Sequence, residues 1–287
     1  MYHVISLRGQ LNKGQPCVLL LGRFDGVHIG HKRLFEQAKS HGLPVGVMSI
    51  IGGKGKSLFT ISERVELYKQ LGADFVLQMR FADIQTLSPK QFLDNLLNEF
   101  SVKAFICGTD FRFGYQALGD VKFLKEYTQG RVEIQNLVEL DGEKIATTAI
   151  KRAIEQGDIP TANSLLASPY ILQGEVQKDR GIGKTIGFPT ANICYPIDKL
   201  PLKQGVYHTQ VIINGQTYQA ITNYGARPTF DNDSVVTETH VIGFQGDLYG
   251  QTLQIQFLRY LRDVQKFDSA AALQNQLRQD VDRAQKG

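Results

Sequence analysis

Apolar positions fall into short runs and helical stripes through the first half of the chain. Cys17 to Gly22 is a strand-length apolar run ending on glycine, and His31 to Ser40 follows with Leu34, Phe35 and Ala38 on one helical face. A strand-like run from Leu43 to Ile51 leads to a helix from Ser62, read as its N-cap, to Leu71, and then to a strand at Phe75 to Gln78. Ser88-Pro89 opens a helix through Phe100, Ala104 to Cys107 reads as a buried strand closing on Gly108, and Thr147 to Glu155 and Ile159 to Ala167 are helical. Strands alternating with helices predict a doubly wound parallel sheet.

The pattern changes after Tyr170. Ile171 to Gln177, Gly205 to Ile213, Thr217 to Thr222, Val235 to Phe244 and Thr252 to Leu258 read as strands, with turn chemistry at Asn214-Gly215 and Gly246-Asp247. One amphipathic helix follows, from about Ser269 to Ala284, with Leu273 and Leu277 on its apolar face. The expected fold class is α/β plus β: a doubly wound domain over residues 1–167, then a small helix-capped β-barrel over 168–287, with Ser168-Pro169 as linker.

Composition narrows the function classes. With 287 residues, 42% of them hydrophobic, the chain can fill two ordinary cores. A formal charge of +4 spread along this length, with no basic arm interleaved with stacking aromatics, argues against nucleic acid and fits small anions such as nucleotides. Met1 to Gly14 alternates rather than forming a signal-type apolar core, and no run of apolar residues reaches membrane-spanning length, so a cytoplasmic protein without a membrane partner is expected. Cys17, Cys107 and Cys194 have no metal-ligand spacing and read as free, buried thiols.

Two segments carry phosphate chemistry. In Gly22-Arg23-Phe24-Asp25-Gly26-Val27-His28-Ile29-Gly30-His31, two imidazoles would sit at a helix N-terminus directly after a strand, where backbone amides and the helix dipole favour an anion. Gly22, Gly26 and Gly30 are expected to let that backbone turn tightly. In Gly187-Phe188-Pro189-Thr190-Ala191-Asn192, neutral oxygens follow a proline-fixed turn, as suits Mg2+ carrying ATP phosphates. Gly181-Ile182-Gly183-Lys184-Thr185 is not a Walker motif, because Lys178 stands where that motif requires glycine.

The first segment resembles the G-x-F-D-G-V-H-x-G-H of prokaryotic FAD synthetases, and Gly108 to Gly114 resembles their G-x-D-F-x-F-G. The second, from Gly183, resembles the G-R-x-x-G-F-P-T-A-N loop of riboflavin kinases, joined by Glu238-Thr239-His240, by Thr222 to Pro228 and by Leu261-Arg262. The resemblance covers essentially the whole chain and is to the bifunctional riboflavin kinase/FMN adenylyltransferase family. It implies a nucleotidyltransferase-like first domain and a riboflavin kinase-like second one, acting on riboflavin, FMN and ATP with Mg2+.

It also implies roles. His28 and His31 would be catalytic in adenylyl transfer, with Gly22, Phe24, Asp25, Gly30, Asp110, Thr147, Thr148 and Lys151 around ATP and its phosphates. Glu238 would be the general base of the kinase, Gly183, Lys184 and Gly187 would line its ATP loop, Thr190 and Asn192 would hold the metal, and Asn223, Gly225, Arg227 and Arg262 would border the flavin. The chain departs from the family at several positions: Ala149 and Lys151 replace two arginines, Ser49 to Lys54 replaces an F-x-P-H-P segment, Arg23 replaces an asparagine, Asp179 a glycine and Lys184 an arginine. A kinase with a weakened transferase half, and a non-catalytic flavin-binding regulator, are the alternatives to a fully bifunctional enzyme.

Overall fold

The computed structural model describes residues 2–8, 12, 14–53, 55–136, 139–140, 143–144, 146–178, 187–226 and 235–286. They form two compact units, one of residues 1–55 and 64–147, the other of residues 56–63 and 148–287.

The first unit is built on a six-stranded sheet. Strands β1 (Tyr2–Ser6), β2 (Pro16–Leu21), β3 (Val45–Ile51), β4 (Phe75–Arg80), β5 (Ser101–Gly108) and β6 (Val132–Gln135) lie in the order β1-β4-β3-β2-β5-β6. All neighbours are parallel except β1, which runs antiparallel to β4. Helices α1 (Ile29–Ser40), α2 (Ile61–Leu71), α3 (Phe81–Ile84), α4 (Pro89–Glu99) and α5 (Val121–Tyr127) connect them, and a two-residue ribbon, β7 (Glu139–Leu140) with β8 (Glu143–Lys144), follows. The chain turns from β2 to β3 on one side and reaches β5 on the other, so the topological switch point lies at the carboxyl ends of β2 and β5. The loops carrying His28 and Asp110 leave from those two ends.

Capping places two helix starts. A helix opens at Ser88-Pro89, as expected, and there Ser88 and Gln91 form a reciprocal capping box. For α2 the cap is Thr60 rather than Ser62: Glu63 N–H donates to Thr60 Oγ1, and the Glu63 carboxylate accepts from Thr60 N–H at 2.7 Å.

After residues 56–63, the second unit continues with α6 (Thr147–Gln156, from its second residue) and α7 (Ile159–Leu165); Asn163, on α7, bridges Phe257 O and Tyr170 N in the strand region that follows. Strands β9 (Ile171–Glu175), β10 (Ala191–Cys194), β11 (Gly205–Ile213), β12 (Gln216–Ala226), β13 (Val235–Val241) and β14 (Thr252–Arg262) form one antiparallel sheet in the order β10-β13-β12-β11-β14-β9. An antiparallel bridge between Gln177 and Asn192 draws its two edges together, giving a nearly closed barrel. The β11–β12 hairpin turns at Asn214 and Gly215, both with positive φ (52° and 80°), the pattern of a type I′ turn.

Helix α8 (Ala270–Gln285), capped by Ser269, closes the chain. Its fully buried positions are Asp280 and Ala284, while Leu273 and Leu277 are only partly covered. Cys17 and Cys107 are buried free thiols, with burial pushing Cys17 up to about 11 and burial with nearby Asp110 pushing Cys107 up to about 12. Cys194 corrects the expectation: it is exposed, because it ends an edge strand with its side chain turned from the barrel core.

Candidate functional sites

In the first unit the loop after β2 is held by its own rings. His28 is the N-cap of α1: its Nδ1 accepts from His31 N–H at 3.3 Å, and the two imidazoles stack with centroids 3.6 Å apart. With Nδ1 accepting, the neutral His28 ring carries its proton on Nε2. His31 Nδ1 lies 3.1 Å from Gly26 O and 3.4 Å from His28 N. Burial, with His28 beside it, lowers the His31 pKa to about 3, partly offset by the Gly26 carbonyl, so the ring is neutral at physiological pH.

The tight turn differs from the one expected. The left-handed position falls on Phe24 (φ 44°), not on Gly22, Gly26 or Gly30. Gly22 serves a different need: a Cβ there would lie 2.9 Å from the Phe24 ring, which folds back over it. Asp25 is buried beneath the loop, and Asp110 stands exposed in the turn after β5. Phe111 and Phe113, from the same motif, stack on each other at 5.4 Å inside the hydrophobic core. Thr147 lies in the first unit, whereas Thr148 and Lys151 belong to the second, where Lys151 Nζ donates to Lys56 O at 2.6 Å.

In the second unit, register brings sequence-distant residues into one row. Asn192 is opposite Glu238, Glu238 opposite Asn223, Asn223 opposite Val206, and Val206 opposite Arg262, spanning β10, β13, β12, β11 and β14. Directly opposed residues share a face, so the row gathers most of the described residues expected at the kinase site. Thr237 and Thr239, flanking Glu238, point to the other face and are completely buried. There Thr239 joins Thr222 at 2.9 Å and Thr222 joins Thr209 at 2.8 Å, a chain of hydroxyls that fixes the register of β13 against β12 and β11.

Asn192 is 6% exposed, and its Oδ1 is buried without a hydrogen-bond partner among the described residues. A buried amide oxygen left unpaired is costly, and a neutral hard oxygen of this kind fits a magnesium ion. Thr190 is half-buried just before β10, and Gly187 takes a left-handed conformation (φ 78°) that frees the loop to turn there. His240, part of the Glu238-Thr239-His240 motif but given no role by it, has its Nδ1 2.9 Å from Pro189 O and its ring edge-on to Phe188 at 5.1 Å, pinning the loop to the strand that carries Glu238. Gly225 lies in β12 opposite Val236. Arg262 forks onto Asp280 of α8, with Nε and NH2 donating at 2.7 to 3.1 Å, and so anchors that helix. Gly183, Lys184 and Arg227 lie outside the described residues.

Comparison with known proteins divides the chain in the same sense. A riboflavin kinase family model matches residues 166–287 and an FAD synthetase model matches residues 11–149. A bifunctional riboflavin kinase/FMN adenylyltransferase of Listeria monocytogenes is 34% identical, covering 92% of this chain and 90% of its own length. The Escherichia coli protein of the same description is 33% identical over 96% of this chain and 95% of its own. The crystal structure of a macrolide-efflux protein from Streptococcus pneumoniae superposes with a TM-score of 0.84 at 30% identity, covering 95% of each chain. Among the described residues of this chain, no helix is long and apolar enough to cross a membrane.

Proposed function

The chain belongs to the bifunctional riboflavin kinase/FMN adenylyltransferase family, and we propose that its two reactions divide at about residues 167/168, with adenylyl transfer on the His28–His31 loop and phosphorylation on the Glu238 row. It phosphorylates riboflavin to FMN with ATP, and transfers the adenylyl group of a second ATP to FMN, giving FAD and pyrophosphate.

The observation that carries the kinase assignment is the opposition of Asn192, with its unpaired buried oxygen, to Glu238. In this reading Thr190 and Asn192 hold Mg2+, which supplies charge neutralisation for ATP phosphates. Glu238 accepts the proton of the ribityl 5′-hydroxyl as that oxygen bonds to the γ-phosphorus and the bond to ADP breaks. Asn223, Gly225 and Arg227 border the flavin; Arg262, tied to Asp280, sets the helix beside that face. Gly183, Lys184 and Gly187 form the ATP loop.

For adenylyl transfer, an FMN phosphate oxygen attacks the α-phosphorus of ATP and pyrophosphate leaves, so the protein supplies alignment and charge stabilisation rather than a nucleophile. His28, donating from Nε2, neutral His31 and the amides of the α1 N-terminus fit that task, with Gly22, Phe24, Asp25, Gly30, Asp110 and Thr147 around the nucleotide. The engagement of Lys151 with Lys56 O favours, as second reading, a transferase slower than the kinase. The free thiols are in keeping with work in the cytoplasm.

Chromatography after incubation with riboflavin, ATP and Mg2+ tests both readings. FAD is the expected product; FMN alone leaves only the kinase, and unchanged riboflavin overturns the proposal. Omitting Mg2+ should abolish turnover.

A further inference from the structure

Of the described non-glycine residues with left-handed backbone, Phe24 alone is buried; Gln116, Ala117, Gln129 and Asn214 are all exposed. A phenylalanine in that conformation is strained and persists only where its surroundings over-determine it. Those surroundings are visible. The Phe24 ring packs against His31 at 4.7 Å, Phe35 at 5.9 Å and Tyr68 at 6.3 Å, in the space that Gly22 leaves open. Its carbonyl is fixed separately, by the hydroxyl of Tyr68, which donates to Phe24 O at 3.0 Å.

Tyr68 comes from the middle of α2 and is completely buried. Its hydroxyl also stands 3.4 Å from Ser49 Oγ on β3, and the charged groups facing it are Arg64 and Asp25. Arg64 is in turn held by its own donation to Ile50 O. Fixing the Phe24 carbonyl fixes the peptide that leads into Asp25 and Gly26, and Gly26 O is the atom beside His31 Nδ1. The Tyr68 hydroxyl therefore acts on His31 from two directions, through the ring that packs on it and through the carbonyl it meets.

We infer that Tyr68 is a positioning residue for adenylyl transfer: its hydroxyl locks Phe24 in the left-handed conformation, and that lock sets Asp25 and the two imidazoles for the α-phosphate of ATP. The inference rests on the assignment of that reaction to the His28–His31 loop. Tyr68 touches no reacting atom, so its loss acts on alignment. Small misplacements of aligned groups cost up to about 100-fold in rate.

The test is Tyr68→Phe in the full chain, which keeps the ring and removes only the hydroxyl. FAD formation from supplied FMN and ATP should fall about tenfold in kcat with KM for either substrate within about twofold, and riboflavin phosphorylation should be unchanged. Nitrogen-15 histidine spectra should show the His31 titration moving up from its acidic midpoint as the loosened loop admits water. Ser49→Ala, which leaves the bond to Phe24 O intact, should keep the wild-type rate. A wild-type kcat in Tyr68→Phe overturns the inference, as does an equal loss in Ser49→Ala or a collapse of the histidine spectrum that signals unfolding. His28→Ala separates the two levels: if it leaves FAD formation intact, the site assignment itself fails, whereas its loss beside an unaffected Tyr68→Phe removes only the role of Tyr68.

Discussion

Asn192 and Glu238 face each other across β10 and β13, one offering a buried amide oxygen with no hydrogen-bond partner among the described residues, the other a carboxylate. An unpaired buried oxygen lowers stability, so a fold that keeps one gives up stability for a site. Asn192→Leu, with the same branching and number of side-chain heavy atoms, should leave the thermal midpoint of the kinase unit unchanged or higher. The Mg2+ concentration for half-maximal FMN formation should rise about tenfold, a loss of ~1.4 kcal/mol. A lower midpoint with unaltered Mg2+ dependence would mean that Asn192 is only structural.

Glu238→Gln removes the carboxylate while the backbone pairing of β13 and the threonine chain behind it stay in place. FMN formation should drop by roughly 100- to 10,000-fold, while riboflavin binding, followed by quenching of flavin fluorescence, stays near wild type. Turnover within a few-fold of wild type would remove Glu238 as the base.

Lys199 and Glu63 form an ion pair with both side chains wholly buried in the second unit, Nζ to Oε2 at 2.5 Å. The ammonium also donates to Leu58 O and lies over Tyr170 and Phe59, and the carboxylate accepts from the amides of Thr60 and Gln173. Removing one partner strands the other, at about 3–5 kcal/mol. Lys199→Met should show that loss by denaturant unfolding followed through tyrosine fluorescence, there being no tryptophan in the chain. Adding Glu63→Gln should restore part of it, since the amide keeps an acceptor for one backbone N–H. If the double variant is as weak as the sum of the singles, the two groups are not coupled.

What could be foreseen follows the range of the forces involved. The His28–His31 loop, the Asn214-Gly215 turn and strand β11, found over the expected span, are local: a few consecutive residues carry both pattern and cause. Strand β10 was hidden because Pro-Thr-Ala-Asn has turn composition, and only pairing with β13 makes it a strand. The cap of α2 went to Thr60 because the Glu63 side chain reaches back to that residue, not to Ser62. Least legible were pairings at long separation. The leucines of α8 imply an apolar face, yet its most buried side chain is Asp280, neutralised by Arg262, and Glu63 finds its cation 136 residues away. Hydrophobic periodicity does not encode such pairs. Of the row from Asn192 to Arg262, motif resemblance named Asn192, Glu238, Asn223 and Arg262 one by one but not Val206, and their alignment across five strands is a property of register alone.

The His31 imidazole gives the first unit a specific pH signature. Its ring, neutral and lowered to about 3 chiefly by burial, would titrate near 6.5 when unfolded, so below pH 6.5 the unfolded chain binds a proton that the folded one does not. The stability this group contributes is complete above pH 6.5 and is lost progressively as pH falls towards 3. Denaturation of the first unit at a series of pH values should therefore show a slope of up to ~1.4 kcal/mol per pH unit between those limits. His31→Asn should remove that slope without altering behaviour above pH 7. Because the ring stays neutral, FAD formation should also lack an acid limb near pH 6.5 arising from His31. A nitrogen-15 titration of His31 with a midpoint between 6 and 7 would contradict both expectations, and with them the enclosed, stacked arrangement on which the proposed adenylyl-transfer site rests.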